Sequence, residues 1–255
     1  MQIAVAGASG RLGTHLVKVL EERGHGVVPI SRTHGLDVIT AIGLEQALKG
    51  VDCIIDAATG PSPDEAEATS FFTTASRNLH DAGHAAGVQR MLVVSIVGID
   101  RWSDGYGKAK QAHEQTALAG PIPTRILRAT QFHEFVGTLL DWGTQGDVGY
   151  VSDMRTQLVA ARSVAETMAN LAAAPSWTKQ DGPALEIGGP RPENLVDAAT
   201  MLAARQGRPA KVEVAPEEVD PYAGADRDTL LPGPGAILAG PTFEDWLEAV
   251  PSFVE

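Results

Sequence analysis

At 255 residues and 44% hydrophobic content, the chain is long enough to close one large core, with at most a small appended lobe. Its 32 acidic residues outweigh 20 basic ones, and the net charge of −12 argues against nucleic acid as a partner, because phosphate contacts need clustered Lys and Arg. No apolar run is long enough to span a bilayer, no signal peptide is expected at the N-terminus, and a single cysteine, Cys53, rules out an internal disulfide. A cytoplasmic protein with a small-molecule substrate and no membrane partner is expected, as a monomer or homodimer.

The first predicted element is a strand over 2–6, then Gly7-Ala8-Ser9-Gly10-Arg11-Leu12-Gly13, then a helix over about 11–23 with Leu12, Leu16, Val19 and Leu20 at helical spacing. Next come a strand over 26–30, a short helix near 41–49, a strand over 51–56 and a Pro/Ser/Gly loop over 59–63. A long helix is predicted over 64–86, a strand over 90–95, a helix over 106–119 stopped by Gly120-Pro121, and a strand over 124–127. Strands of this kind, apolar almost throughout, are buried on both faces, as in a parallel sheet covered by helices.

Further on, the pattern predicts a helix over 132–141, strands over 147–151 and 157–160, and a helix over 163–174 opened by a Ser163/Glu166 capping box. A strand over 185–187, a helix over 195–205, a strand over 211–214, a loop over 231–235 and a helix over 242–249 complete the chain. The expected fold class is α/β: a Rossmann-like doubly wound parallel sheet with a small C-terminal α+β substrate lobe beside its carboxyl edge. With a core of about 1–150 and a lobe of about 151–255 that is not independent, the chain reads as a single NAD(P)-binding domain over 1–255.

Strand, glycine turn and helix start are the arrangement that holds a dinucleotide pyrophosphate. Gly7 permits the tight turn, Gly10 the close backbone approach, and Gly13 close packing of helix on sheet; Ser9, Arg11 and Leu12 complete the loop. The N–H groups at the helix start face the anion. After the second strand, the carboxylate usual in NAD-binding units is replaced by Ser31-Arg32, a hydroxyl and a guanidinium suited to a 2′-phosphate, so NADP(H) is preferred over NAD(H). Asp37, followed by Val38, is placed for the adenine amino group, and Ala57, Ala58 and Thr59 for the adenine ribose and pyrophosphate. Cys53, in an apolar run, reads as a structural thiol. His80 and His84 lack the Glu of a zinc-protease helix, and no metal site is expected.

Four blocks carry a resemblance: residues 7–13; Leu92-Val93-Val94-Ser95-Ile96-Val97-Gly98; Tyr106-Gly107-Lys108-Ala109-Lys110-Gln111-Ala112-His113-Glu114; and Thr124-Arg125-Ile126-Leu127-Arg128-Ala129-Thr130-Gln131-Phe132. In this order they resemble the atypical short-chain dehydrogenase/reductases, most nearly the NmrA-like NAD(P)H-binding group of quinone reductases and redox-sensing regulators. The resemblance implies Tyr106 as proton donor, Lys110 as the cation that lowers its pKa and holds the nicotinamide ribose, and Ser95 as the group that orients the substrate carbonyl. It implies cofactor contacts at Ser95, Lys110, Gln131 and Phe132, and places His133 toward substrate; Trp102 is a further candidate for the pocket lining. The implied function is an NADPH-dependent oxidoreductase reducing a small carbonyl or quinone-like acceptor by hydride transfer. The alternative is an NmrA-like redox sensor that binds the cofactor without turnover.

Overall fold

The computed structural model describes residues 1–250, apart from 176, 181 and 183. The chain divides into two compact units, Met1–Arg128 with Val164–Leu185, and Ala129–Ser163 with Glu186–Glu255.

The first unit contains β1 (Gln2–Ala6), α1 (Arg11–Glu22), β2 (Gly26–Ile30), α2 (Leu44–Ala47), β3 (Cys53–Asp56), α3 (Glu65–Ala86), β4 (Arg90–Ile96), α4 (Gly105–Ala119) and β5 (Thr124–Ala129), with 3-10 turns at Arg32–His34 and Ile99–Arg101. Its strands lie in the order β5-β4-β3-β1-β2. β1 pairs in parallel with both β2 and β3, and β3 with β4. The chain leaves β1 toward β2 on one side and returns to β3 on the other, so the carboxyl ends of β1 and β3 border a crevice of the kind where open α/β sheets bind ligands. Pro29 is accommodated because β2 is the edge strand, where a missing N–H breaks no second ladder.

Alternation along the strands sorts side chains between the two faces. Ala4, Ala6, Ile54, Met91, Val93 and Ile126 join one buried cluster with Ala75 and Leu79 of α3 and Ala117 of α4. A fully buried leucine such as Leu79 contributes roughly 1.5–3 kcal/mol to this face. α3 is capped by Asp64, whose carboxylate accepts the Glu67 N–H at 3.0 Å, and it ends at Gly87 with φ +85°. The Glu65 carboxylate accepts the Gly105 N–H at 2.6 Å, tying the start of α4 to the start of α3.

The second unit is α+β. α5 (Phe135–Gly143) precedes β6 (Thr144–Gln145) and β7 (Val148–Val151), and β8 (Arg155–Thr156) leads toward α6 (Ala161–Ala172), most of which lies in the first unit. β9 (Leu185–Gly188), β10 (Glu193–Asn194), α7 (Leu195–Gln206), β11 (Lys211–Val214), β12 (Ile237–Leu238) and α8 (Phe243–Ala249) follow. β7 pairs antiparallel with β6 and parallel with β11, β10 antiparallel with β8, and β12 parallel with β9.

The α/β, Rossmann-like fold with helices flanking a parallel sheet agrees with expectation, and four local predictions are corrected. The helix near 41–49 contracts to α2, because Ala41 (φ +57°) and Gly43 (φ +80°) take left-handed conformations. The helix at 132–141 begins only at Phe135, since Phe132 bridges to Val159 and the His133 N–H donates to the Val159 carbonyl at 3.0 Å. Residues 157–160 are not a strand; the strand is β8 just before them. The helix at 163–174 starts at Ala161, so Ser163 lies inside it, and the Ala161 N–H is taken by the Glu134 carboxylate at 3.1 Å. Among the described residues, no helix is long and apolar enough to cross a membrane.

Candidate dinucleotide and catalytic site

The glycine loop is built by backbone contacts that leave no room for side chains. Gly7 sits at φ +79°, and a β-carbon there would lie 2.6 Å from the Ala57 carbonyl oxygen. A β-carbon on Gly13 would collide with the Gly7 carbonyl, so α1 rests directly on the loop. The Gly7 N–H donates to the Ile30 carbonyl at 2.9 Å and the Gly10 N–H to the Gly7 carbonyl at 2.9 Å, fixing the loop to the end of β2. No side chain caps α1 at Gly10. The cradle therefore offers backbone N–H groups and the positive end of a helix dipole, and the residues present fit a dinucleotide pyrophosphate.

At the end of β2, Ser31 Oγ lies 2.8 Å from Thr33 Oγ1 and 2.7 Å from His34 Nδ1, with Arg32 exposed between them. Thr33 and His34 were not anticipated as members of this group; only their adjacency to Ser31-Arg32 marks them. One Asp37 carboxylate oxygen accepts the Ile39 N–H at 2.7 Å. Asn78 of α3, also unanticipated, donates to the Val38 and Ile39 carbonyls at 2.8 and 2.9 Å and pins this segment. Ala57 and Ala58 pass the glycine loop in close contact.

Tyr106 and Lys110 stand one turn apart on α4, and both approach the Phe72 ring. The Tyr106 hydroxyl lies 3.2 Å from Thr59 Oγ1, and its ring meets Phe72 edge-on at 5.8 Å. Burial raises the Tyr106 pKa, against the opposing effect of the Thr59 hydrogen bond. Lys110 is only 4% exposed. Its ammonium donates to the Val94 carbonyl at 3.0 Å, lies 2.9 Å from His113 Nδ1 and sits 4.5 Å from the centre of the Phe72 ring. Burial pushes its pKa down to about 8, against support from Asp56 and Glu114. Ser95, beside Val94 at the end of β4, is buried, and its hydroxyl has no hydrogen-bond partner among the described residues. The Trp102 ring lies against Gly107, where a β-carbon would come within 2.7 Å of it.

Beneath Lys110 lies a pair that sequence reasoning missed. His113 Nε2 is 3.0 Å from Asp56 Oδ2, and the His113 ring stacks on Phe72 at 4.8 Å. Burial works against the Asp56 charge, but the His113 hydrogen bond and charge, the Ala58 N–H and Lys110 outweigh it and hold the carboxyl below its usual range. Burial, then the Lys110 charge, lowers the His113 pKa, so the imidazole is neutral near pH 7. Cys53, one strand turn earlier, is buried, with its thiol pushed up to about 12 by burial.

Gln131, Phe132 and His133 belong to the second unit. Gln131 Nε2 donates to the Tyr222 hydroxyl at 3.3 Å. The His133 ring is fully buried between Phe243 (5.5 Å) and Trp246 (5.2 Å), which withdraws it from solvent. Among the described residues, no group of three or more His, Cys, Asp or Glu side chains is arranged to hold a metal.

A glycine cradle at a topological switch point of a parallel sheet is an arrangement that fits a dinucleotide. The chain belongs to the NAD dependent epimerase/dehydratase family, whose profile matches residues 3–173. This assignment is broader than the NmrA-like group suggested by the four sequence blocks. No curated protein matches the chain. Among solved structures, it resembles MoeE5 in complex with UDP-glucuronic acid and NAD (19% identity, 98% of this chain and 100% of that one, TM-score 0.70). It also resembles a dTDP-4-dehydrorhamnose reductase from Clostridium acetobutylicum (19%, 91% and 89%, TM-score 0.70). A third is the NADPH-dependent quinone oxidoreductase QOR2 from Escherichia coli, complexed with NADPH (18%, 85% and 79%, TM-score 0.64). At these identities the likeness is one of fold.

Proposed function

We propose that the protein is an NADPH-dependent oxidoreductase that reduces a small carbonyl or quinone-like acceptor, and that within its family it sits in the NmrA-like branch. The observation that carries the cofactor choice is the turn after β2. Ser31, Arg32, Thr33 and His34 offer hydroxyls, a guanidinium and an imidazole where an NAD-selective site would offer a carboxylate. Gly7, Gly10, Gly13 and the amino end of α1 hold the pyrophosphate, with Ser9, Arg11 and Leu12 in the loop. Asp37 and Val38 border the adenine, and Ala57, Ala58 and Thr59 the ribose. When bound, the cofactor supplies the hydride.

The chain's own residues do the remaining work. Lys110, as an ammonium, stabilises the Tyr106 phenolate and so makes the hydroxyl a usable acid near neutral pH. Tyr106 donates its proton to the acceptor oxygen, and the Ser95 hydroxyl, without a partner among the described residues, orients that oxygen. Trp102 provides an apolar wall beside Tyr106. The buried His133 is assigned no part. This reading goes with a cytoplasmic protein, monomeric or homodimeric.

Three contacts favour a second reading, a cofactor-binding redox sensor without turnover: the Tyr106 hydroxyl is already bonded to Thr59, and the Lys110 ammonium to Val94 and His113. A screen of quinones and small carbonyls with NADPH, run on the native protein and on Tyr106→Phe, separates the two. Turnover that Tyr106→Phe loses while still binding NADPH supports catalysis. NADPH binding with no turnover of any acceptor leaves the sensor.

A further inference from the structure

We propose that His113, held by the Asp56 carboxylate, is a positioning residue that fixes the Lys110 ammonium in place and in its charged form. This rests on the reading that Lys110 serves the cofactor and Tyr106. Three side chains from two elements form one buried chain: Asp56 Oδ2 to His113 Nε2 at 3.0 Å, and His113 Nδ1 to Lys110 Nζ at 2.9 Å. They are 1%, 1% and 4% exposed. The proton inventory follows from donor and acceptor roles. The carboxylate can only accept, so Nε2 carries the imidazole proton, and Nδ1 is left as a lone pair facing the ammonium. Asp56, His113 and Lys110 then sum to zero charge, which offsets part of the cost of burying an ammonium.

The surroundings leave Lys110 few other anchors. Phe72 of α3 faces the ammonium with its ring and Val94 of β4 with its carbonyl. On α4, Glu114 is the nearest other carboxylate, and Arg128 takes it in a bidentate pair at 2.9 and 2.9 Å. Tyr106 is the remaining titratable group on that face of α4. Asp56 is the carboxylate that most supports the Lys110 charge, ahead of Glu114, and His113 connects the two. Asp56 also accepts the Ala58 N–H at 3.0 Å, so the same carboxylate shapes the strand exit that the glycine loop packs against.

The test follows Lys110 and His113 directly in the full chain, by NMR titration of the lysine ε-carbons and the imidazole nitrogens, together with NADPH binding by nicotinamide fluorescence. The native protein is expected to show the Nε2–H tautomer throughout the neutral range and a Lys110 midpoint near 8. Asp56→Asn and His113→Phe should lower that midpoint by at least about one unit, the usual scale for losing a partner charge or hydrogen bond. NADPH affinity at pH 7.5 should fall about threefold with it, as the ammonium fraction falls. His113→Asn, which keeps an acceptor for the ammonium, should restore part of both. An Nδ1–H tautomer would overturn the proposal, as would a Lys110 midpoint indifferent to Asp56→Asn and His113→Phe. Lys110→Met is the separate control: NADPH binding unaffected by it would overturn the role of Lys110 in the proposed function, while the native coupling of Lys110 to His113 would still be read from the titration.

Discussion

His113 and Asp56 meet at 3.0 Å, both 1% exposed, beneath a lysine that the family resemblance assigns to the cofactor. Their contact places a carboxylate under α4 without exposing it. Burial, opposed by that carboxylate, brings the Lys110 pKa down to about 8, within the working range.

NADPH affinity should therefore decline as pH rises through about 8. Lys110 has its pKa lowered from 10.5 to about 8, so the ammonium is present below that value and lost above it. Fluorescence titrations between pH 6.5 and 9.5 check this. Lys110→Met should bind weakly at every pH and show no such inflection. The stability effect has the opposite sign: burying a charged lysine costs stability below pH 8, and that cost is relieved as the pH rises toward 10.5.

Acid should destabilise the fold through its buried histidines. The His133 pKa is lowered from 6.5 to about 4 by burial, so its contribution is complete above pH 6.5 and is lost as pH falls through 4. That loss reaches about 3 kcal/mol by pH 4. His80 and His113, also lowered by burial, act in the same direction. Urea unfolding at pH 7 and pH 4.5 measures the difference, and His133→Phe should reduce it.

Gly13→Ala should abolish dinucleotide binding and lower stability. The new β-carbon would occupy the position of the Gly7 carbonyl, so α1 would have to lift off the loop. Overpacking of this kind costs about 1–3 kcal/mol, visible as a drop in Tm. Gly24→Ala, at φ +75° but in open space, is the control: it should cost about 1 kcal/mol and leave binding intact.

Cys53 should be inert to thiol reagents in the native protein. Burial keeps it a thiol, with its pKa near 12. Reaction with a disulfide reagent should proceed only in denaturant, and labelling at the native unfolding rate would report global opening.

The sheet and the glycine loop were legible because their signals are local: apolar runs bounded by turns, and glycines whose spacing matches backbone contacts now seen at Gly7 and Gly13. Helix starts set by distant partners were not. Ser163 and Glu166 satisfy a capping box by spacing, yet the first helical N–H is satisfied by Glu134, 27 residues earlier. Asp56–His113 was equally hidden, because its partners are 57 residues apart. Half of the signal was there: Lys110 and His113 are three apart and share a helix face. Asp56, a carboxylate closing an apolar strand, needed a buried partner that periodicity does not name.

The most direct test of the account is a paired titration of the native protein and Arg32→Ala with NADPH and NADH. The prediction is tight NADPH binding, weaker NADH binding, and loss of about tenfold or more in NADPH affinity alone on removing Arg32, since a charge-assisted hydrogen bond contributes about 1.5–3 kcal/mol. Equal binding of the two cofactors, unchanged in Arg32→Ala, would contradict the assigned 2′-phosphate site. Binding of neither would contradict the dinucleotide site itself.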